Sequence, residues 1–64
     1  MAGFRFQPFP NKKPADYKRC RILLNTDEIC YGFRFDTGFG REWEIEATRL
    51  RIVFDEQVKG WWYV

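Results

Sequence analysis

The apolar positions of this chain recur mostly with a period of two, which predicts strands and no long helix. Tyr17 to Leu24, YKRCRILL, places Cys20, Ile22 and Leu24 on one face and Arg19, Arg21 and Leu23 on the other. Asn25-Thr26-Asp27-Glu28 supplies a turn, because short polar side chains bond their own backbone. Ile29 to Asp36 predicts a second strand, with Ile29, Tyr31, Phe33 and Phe35 facing in and Cys30, Gly32 and Arg34 facing out. Gly32 in mid-strand predicts a bulge or a sharp bend. Thr37-Gly38-Phe39-Gly40 turns the chain again. Arg41 to Phe54 reads as one long strand whose parity changes: Trp43, Ile45 and Ala47 are odd, while Leu50, Ile52 and Phe54 are even. A period of two cannot switch parity without an inserted residue, so a bulge or corner is expected near Thr48. Asp55 to Lys59 predicts a loop or at most one helical turn, and Gly60 opens a last short strand, Trp61 to Val64.

Residues 1–16 follow another rule. Phe4, Phe6 and Phe9 are interleaved with Arg5, Gln7, Pro8 and Pro10, and proline excludes both helix and central strand. The expectation is an extended N-terminal arm, 1–16, ahead of a single small β-barrel domain, 17–64. The fold class is all-β, an OB-like or SH3-like barrel of four to five strands. The three Phe rings either cover the open end of the protein's own barrel or dock on a partner, or on a neighbouring copy, by strand addition. Self-coverage is favoured, because so small a core needs every ring.

Composition narrows the chemistry. Sixty-four residues sit near the lower limit for one unaided core, and seven Phe, three Trp and three Tyr compensate for the small size. The sequence has no His and no Ser, which removes Ser–His–Asp and Cys–His catalysis and imidazole ligation. Two cysteines are too few for a structural zinc site. Carboxylate or Lys acid–base chemistry and a carboxylate-bound hard cation remain, and no cofactor or metal is expected. No apolar run is long enough for a signal peptide or a membrane span. A cytoplasmic location with Cys20 and Cys30 reduced is the expectation; a disulfide across the hairpin near Asn25 stays open as the alternative.

Net charge is only +2, but it is unevenly placed. Residues 1–25 carry six basic side chains against Asp16 alone, and residues 26–64 carry five against eight carboxylates. Lys12, Lys13, Lys18, Arg19 and Arg21, with Tyr17 among them, follow the charge-plus-ring grammar of nucleic-acid binding. Glu42, Glu44 and Glu46 form an acidic stripe on one strand face. They either pair across the sheet with Arg34, Arg19 or Arg21, or meet a basic partner. Trp61, Trp62 and Tyr63 turn at least one ring outward in any register, as a stacking platform, a protein-contact anchor or a lid.

Phe35 to Glu56, FDTGFGREWEIEATRLRIVFDE, adds one resemblance that covers about a third of the chain. A strand ends in Asp-Thr-Gly-Phe-Gly, and the strand after it closes on Arg-Leu-x-Ile-Val. This resembles the early strands of the thermonuclease (staphylococcal nuclease-like) OB-fold family, especially its short phage-type members. Those carry DGDT, an Ile-Asp-Leu-Gly-Phe-Gly turn and Arg-Leu-x-Gly-Ile-Asp-x-Pro-Glu. The resemblance implies a truncated, degenerate relative. In that family two Asp and a Glu serve calcium and the attacking water, and two Arg stabilise phosphate charge. Here Arg49 holds the first Arg position, while Asp27 lies in Asn-Thr-Asp-Glu, which lacks the DGDT glycine and order. The second Asp position falls on Phe54, with Asp55 one residue late. The Glu position falls on Gln57, the Pro on Glu56, and the second Arg has no counterpart.

The expected function is therefore binding without catalysis, by a phage-encoded accessory or inhibitor of a host nucleic-acid-handling protein. Its partner contacts are expected at Phe4, Phe6, Phe9, Glu42, Glu44, Glu46, Trp61 and Tyr63. A nucleic-acid-binding OB module using Lys12, Lys13, Tyr17, Lys18, Arg19 and Arg21 is the first alternative. A small subunit or decoration protein of a larger assembly, its arm locked into a neighbouring copy, is the second.

Overall fold

The computed structural model describes residues 5–36, 41–47 and 51–64. Period-two patterning becomes six antiparallel strands: β1 (Gln7–Pro8), β2 (Cys20–Leu24), β3 (Ile29–Asp36), β4 (Arg41–Ile45), β5 (Arg51–Phe54) and β6 (Val58–Tyr63). They form one sheet in the order β1-β6-β2-β3-β4-β5. The described residues are all-β, with one 3-10 turn, Asp55–Gln57, between β5 and β6. Among the described residues β1 and β5 are the two edges and no ladder joins them, so the sheet is not closed into a barrel.

The β2–β3 hairpin forms where the polar tetrad predicts it. Asp27 N–H donates to the Leu24 carbonyl and Leu24 N–H to the Glu28 carbonyl, both at 2.9 Å. Asp27 takes φ 70°, a left-handed conformation that Asp tolerates better than most residues. The hairpin register sets Ile22 opposite Cys30 and Cys20 opposite Gly32. Directly paired residues share a face, so Cys30, Gly32 and Arg34 point into the core beside Cys20, Ile22 and Leu24. The expected facing of β3 is thus inverted. Ile29 is exposed, and Tyr31, Phe33 and Phe35 lie half-buried on the outer face.

The expected long strand is a hairpin instead. β4 pairs with β5, with Trp43 opposite Val53 and Glu44 opposite Ile52. The parity change therefore accompanies a reversal of chain direction, not a bulge within one strand. Thr48 and Leu50 lie outside the described residues. Val53 is the buried member of β5, whereas Phe54 is exposed and Ile52 half-buried. Among the described residues the ladders shift register between β2 and β6, where Leu23 faces Gly60 but Leu24 faces Val58. Lys59 is the extra residue, and this bulge brings Val58 onto the same face as Trp61.

Gly32 keeps regular register with both neighbours, opposite Cys20 and Ile45. Its role is close approach, because a Cβ there would lie 1.9 Å from the Glu44 carbonyl oxygen. Gly32→Ala is expected to push β4 away from β3 and cost about 1–3 kcal/mol. A thermal melt within a degree of wild type would contradict this account of the glycine.

The arm folds back on its own sheet. Gln7 pairs with Trp61 and Pro8 with Gly60, and Phe9 N–H donates to the Lys59 carbonyl at 3.1 Å. Phe9 is buried in the cluster formed by Cys20, Ile22, Leu24, Cys30, Trp43, Ile45, Val53, Val58 and Trp61. Its ring meets Trp43 edge-on at 5.4 Å. Farther along, the Lys12 carbonyl accepts from Trp61 Nε1 and Ala15 N–H donates to the Tyr63 hydroxyl, both at 2.8 Å.

Among the described residues Arg34 is the buried polar or charged one, only 3% exposed. Its Nε and Nη2 donate to the Asp55 carboxylate at 3.0 and 2.6 Å, and Trp43 Nε1 donates to the same Oδ1 at 2.8 Å. The guanidinium lies 5.2 Å from the Phe9 ring centroid and 5.9 Å from that of Trp43. A buried guanidinium needs a bidentate anion to offset its lost hydration. The 3-10 turn supplies that anion, held by Gln57 Oε1 accepting from Phe54 N–H at 3.0 Å.

Candidate functional site

The described residues enclose no ligand-sized pocket, so the candidate site is a surface. Three side-chain rows cross the outer face of the sheet. Arg21 faces Tyr31; Phe33 faces Glu44, which faces Ile52; and Phe35 faces Glu42, which faces Phe54. Tyr17 stands beside β3, its N–H donating to the Arg34 carbonyl at 2.9 Å. Its ring centroid is 5.6 Å from that of Phe33 and 6.2 Å from that of Phe35, and those two are 5.9 Å apart. Tyr17 is 67% exposed and Phe54 49% exposed. Tyr17 also takes φ 64°, an unfavourable conformation for a bulky side chain and one that tends to mark functional positions.

The basic residues singled out in the sequence do not form one track. Lys12 and Lys13 are exposed on the arm. Lys18 Nζ sits 4.4 Å from the Tyr63 ring centroid. Arg19 is clasped by Glu46, with Nε and Nη2 donating at 2.6 and 3.1 Å. That contact raises the Arg19 pKa and holds the Glu46 carboxyl below its usual range. Arg21 is half-buried, its guanidinium 5.5 Å from the Phe6 ring. Arg51 and Glu28 form a second two-bonded pair at 2.7 and 3.1 Å, which lowers the Glu28 pKa and raises that of Arg51.

The expected partner contacts divide. Phe9 and Trp61 are core residues, unavailable to a partner, because the arm and β6 bury them on the inner face. Tyr63 packs on Trp61 at 4.8 Å and accepts the Ala15 hydrogen bond. Phe6 is half-buried, its Cβ 3.0 Å from where a Cβ on Gly60 would lie. Phe4 lies outside the described residues. Glu42 and Glu44 do stand on the outer face, half-buried among the rings. Sequence reasoning missed Tyr31, Phe33, Phe35, Ile52 and Phe54 as surface residues. The available signal was Arg34 together with Asp55, since a strand holding a buried ion pair turns its other face outward.

The positions carried over from the nuclease resemblance are dispersed. Asp27 is ion-paired with Lys59 in the β2–β3 turn, Phe54 points outward, Asp55 holds Arg34, and Gln57 accepts from Phe54 N–H. Arg49 lies outside the described residues. Among the described residues no three His, Cys, Asp or Glu side chains are grouped to hold a metal ion.

Cys20 and Cys30 are buried free thiols. Burial pushes the Cys20 pKa up from 9.0 to about 11 against a small opposing effect of Lys18, and burial pushes Cys30 up as well. An unfolded thiol ionises first, so this stabilisation is complete below pH 9.0 and is lost as pH rises through about 11. Both thiols are expected to resist a disulfide reagent at pH 8 in the folded protein and to react at once in denaturant. The denaturation midpoint should also fall between pH 8 and pH 10.5. Fast labelling of the native protein would contradict the burial.

No family model, curated protein or solved structure matches the chain. What the fold defines is a small antiparallel β-sheet protein with a ringed, acidic outer face. Among the described residues no helix is long and apolar enough to cross a membrane.

Proposed function

We propose that this chain is a non-catalytic binding protein that holds a protein partner against the outer face of its sheet. One observation carries the reading: Tyr17, Phe33, Phe35 and Phe54 form a ring-rich surface with Glu42 and Glu44 set between the strands. Exposed rings on a rigid sheet are protein-contact anchors, and carboxylates among them repel phosphate. The finer expectations belong to the same proposal. The sheet is a partly open relative of an OB-like or SH3-like barrel, and the chain is a degenerate thermonuclease relative. It is phage-encoded, acts in the host cytoplasm, and binds or inhibits a host nucleic-acid-handling protein.

The test is capture from host lysate by wild type and by Tyr17→Ala/Phe54→Ala, each with and without nuclease treatment. Retention of a protein that survives nuclease and is lost with the double variant is the expected result. Capture indifferent to the two substitutions would overturn the outer-face assignment. A second reading, nucleic-acid binding, draws support from Tyr17, Phe33 and Phe35, whose mutual packing makes a base-stacking platform. It predicts captured material that nuclease removes. For catalysis, no cleavage of single-stranded DNA or RNA is expected with calcium or magnesium. Turnover abolished by Arg49→Ala would overturn that part.

A further inference from the structure

The outer face repeats one arrangement three times. On β3 stand Tyr31, Phe33 and Phe35; beside them on the next chain segment stand Glu46, Glu44 and Glu42. Phe33 and Phe35 face Glu44 and Glu42 directly, and Glu46 N–H donates to the Tyr31 carbonyl at 2.7 Å, which continues the same register. Each ring therefore has a carboxylate as its cross-strand neighbour.

The first of the three is filled from within the chain. Arg19 lies 5.2 Å from the Tyr31 ring centroid while its guanidinium donates two hydrogen bonds to Glu46. Stacking and bidentate pairing together are the contacts a planar guanidinium makes best. The other two have the same parts and, among the described residues, no ion pair at Glu42 or Glu44. Tyr17 adds a third ring beside Phe33 and Phe35.

We propose that Phe33 with Glu44, and Phe35 with Glu42, each receive an arginine side chain from an extended segment of the partner protein. The two subsites lie two strand residues apart, roughly 7 Å, which is also the spacing of alternate side chains on an extended peptide. The recognised element is thus an Arg-x-Arg segment lying along β3 and β4. This deepens the protein-binding reading and rests on it.

The probe is the acetylated, amidated pentapeptide Thr-Arg-Thr-Arg-Thr, titrated into wild-type protein at low salt and followed by backbone and ring NMR shifts. Shifts should concentrate at Tyr17, Phe33, Phe35, Glu42 and Glu44. The lysine counterpart should bind at least about twofold more weakly, and the citrulline counterpart should leave the spectrum unchanged. Glu42→Gln/Glu44→Gln, whose unperturbed core resonances report an intact fold, should weaken binding about threefold or more. Absent shifts, or equal shifts with citrulline, would overturn the proposal. A thymidine oligonucleotide that displaces the peptide and binds more tightly would overturn it in favour of nucleic acid. Self-association at titration concentration through these same residues would overturn it in favour of a second copy. If lysate capture still depends on Tyr17 and Phe54 while the peptide fails, the protein-binding face stands and only the arginine chemistry falls.

Discussion

Asp55→Asn is expected to cost about 3 kcal/mol, the lower end of the range for breaking a buried ion pair. The lower end applies because the Asp55 side chain keeps 28% of its exposure while that of Arg34 keeps 4%. The substitution leaves the Arg34 guanidinium in the core without its anion, and Asp55 also accepts from Trp43 Nε1. Stability of about 0.05–0.15 kcal/mol per residue gives a domain this small little reserve. Urea denaturation should show a sharply lower midpoint, or a chain already unfolded at room temperature. Arg34→Met/Asp55→Ala should recover much of the loss, because replacing both partners leaves no buried charge. A single Asp55 variant as stable as wild type would show that the pair is dispensable.

Phe9→Ala is expected to be at least as damaging, at about 3–5 kcal/mol for truncating a buried Phe. The ring fills the inner face against Trp43 and lies beside the Arg34 guanidinium. Losing it opens a cavity next to a buried charge and admits water to the ion pair. Deleting Met1 to Pro10 should go further, since it also removes the pairing of β1 with β6. The decisive measurement is the melting temperature in dilute monomer. A dimer that dissociates on deletion would mean the arm is exchanged between copies. Unchanged stability with lost partner capture would mean the arm is a docking element and not a part of the core.

Both results depend on features that the chain announces only partly. The three prolines and three Phe rings of the arm are enough to favour self-coverage, because a small core needs its rings. Which ring goes inside was not legible. Phe6 and Phe9 have the same local grammar, and only the pairing of Gln7 with Trp61 places Phe9 on the inner face. The acidic stripe and the exposed Tyr17 were also legible as surface features. Their gathering with Phe33, Phe35 and Phe54 into one face was not.

Local chemistry alone determined the all-β class, the two-faced alternation of β2, the turn at Asn25–Glu28, a loop or at most one helical turn after Phe54 and the unsuitability of the chain for His or Ser catalysis. Those depend on side chains and on neighbours a few residues away. Tertiary structure decided the facing of β3, the reversal between β4 and β5 and the burial of Arg34. Alternation says that two faces differ but not which is inside, and β3 carries apolar side chains at odd positions where an inward face would be expected. Cross-strand register settles it: Ile22 opposite Cys30 commits Cys30, Gly32 and Arg34 to the core. Asp55 then arrives from a distant turn to make the buried charge tolerable. The rings left outside become the binding face because the core had already been assigned to the other side of the sheet.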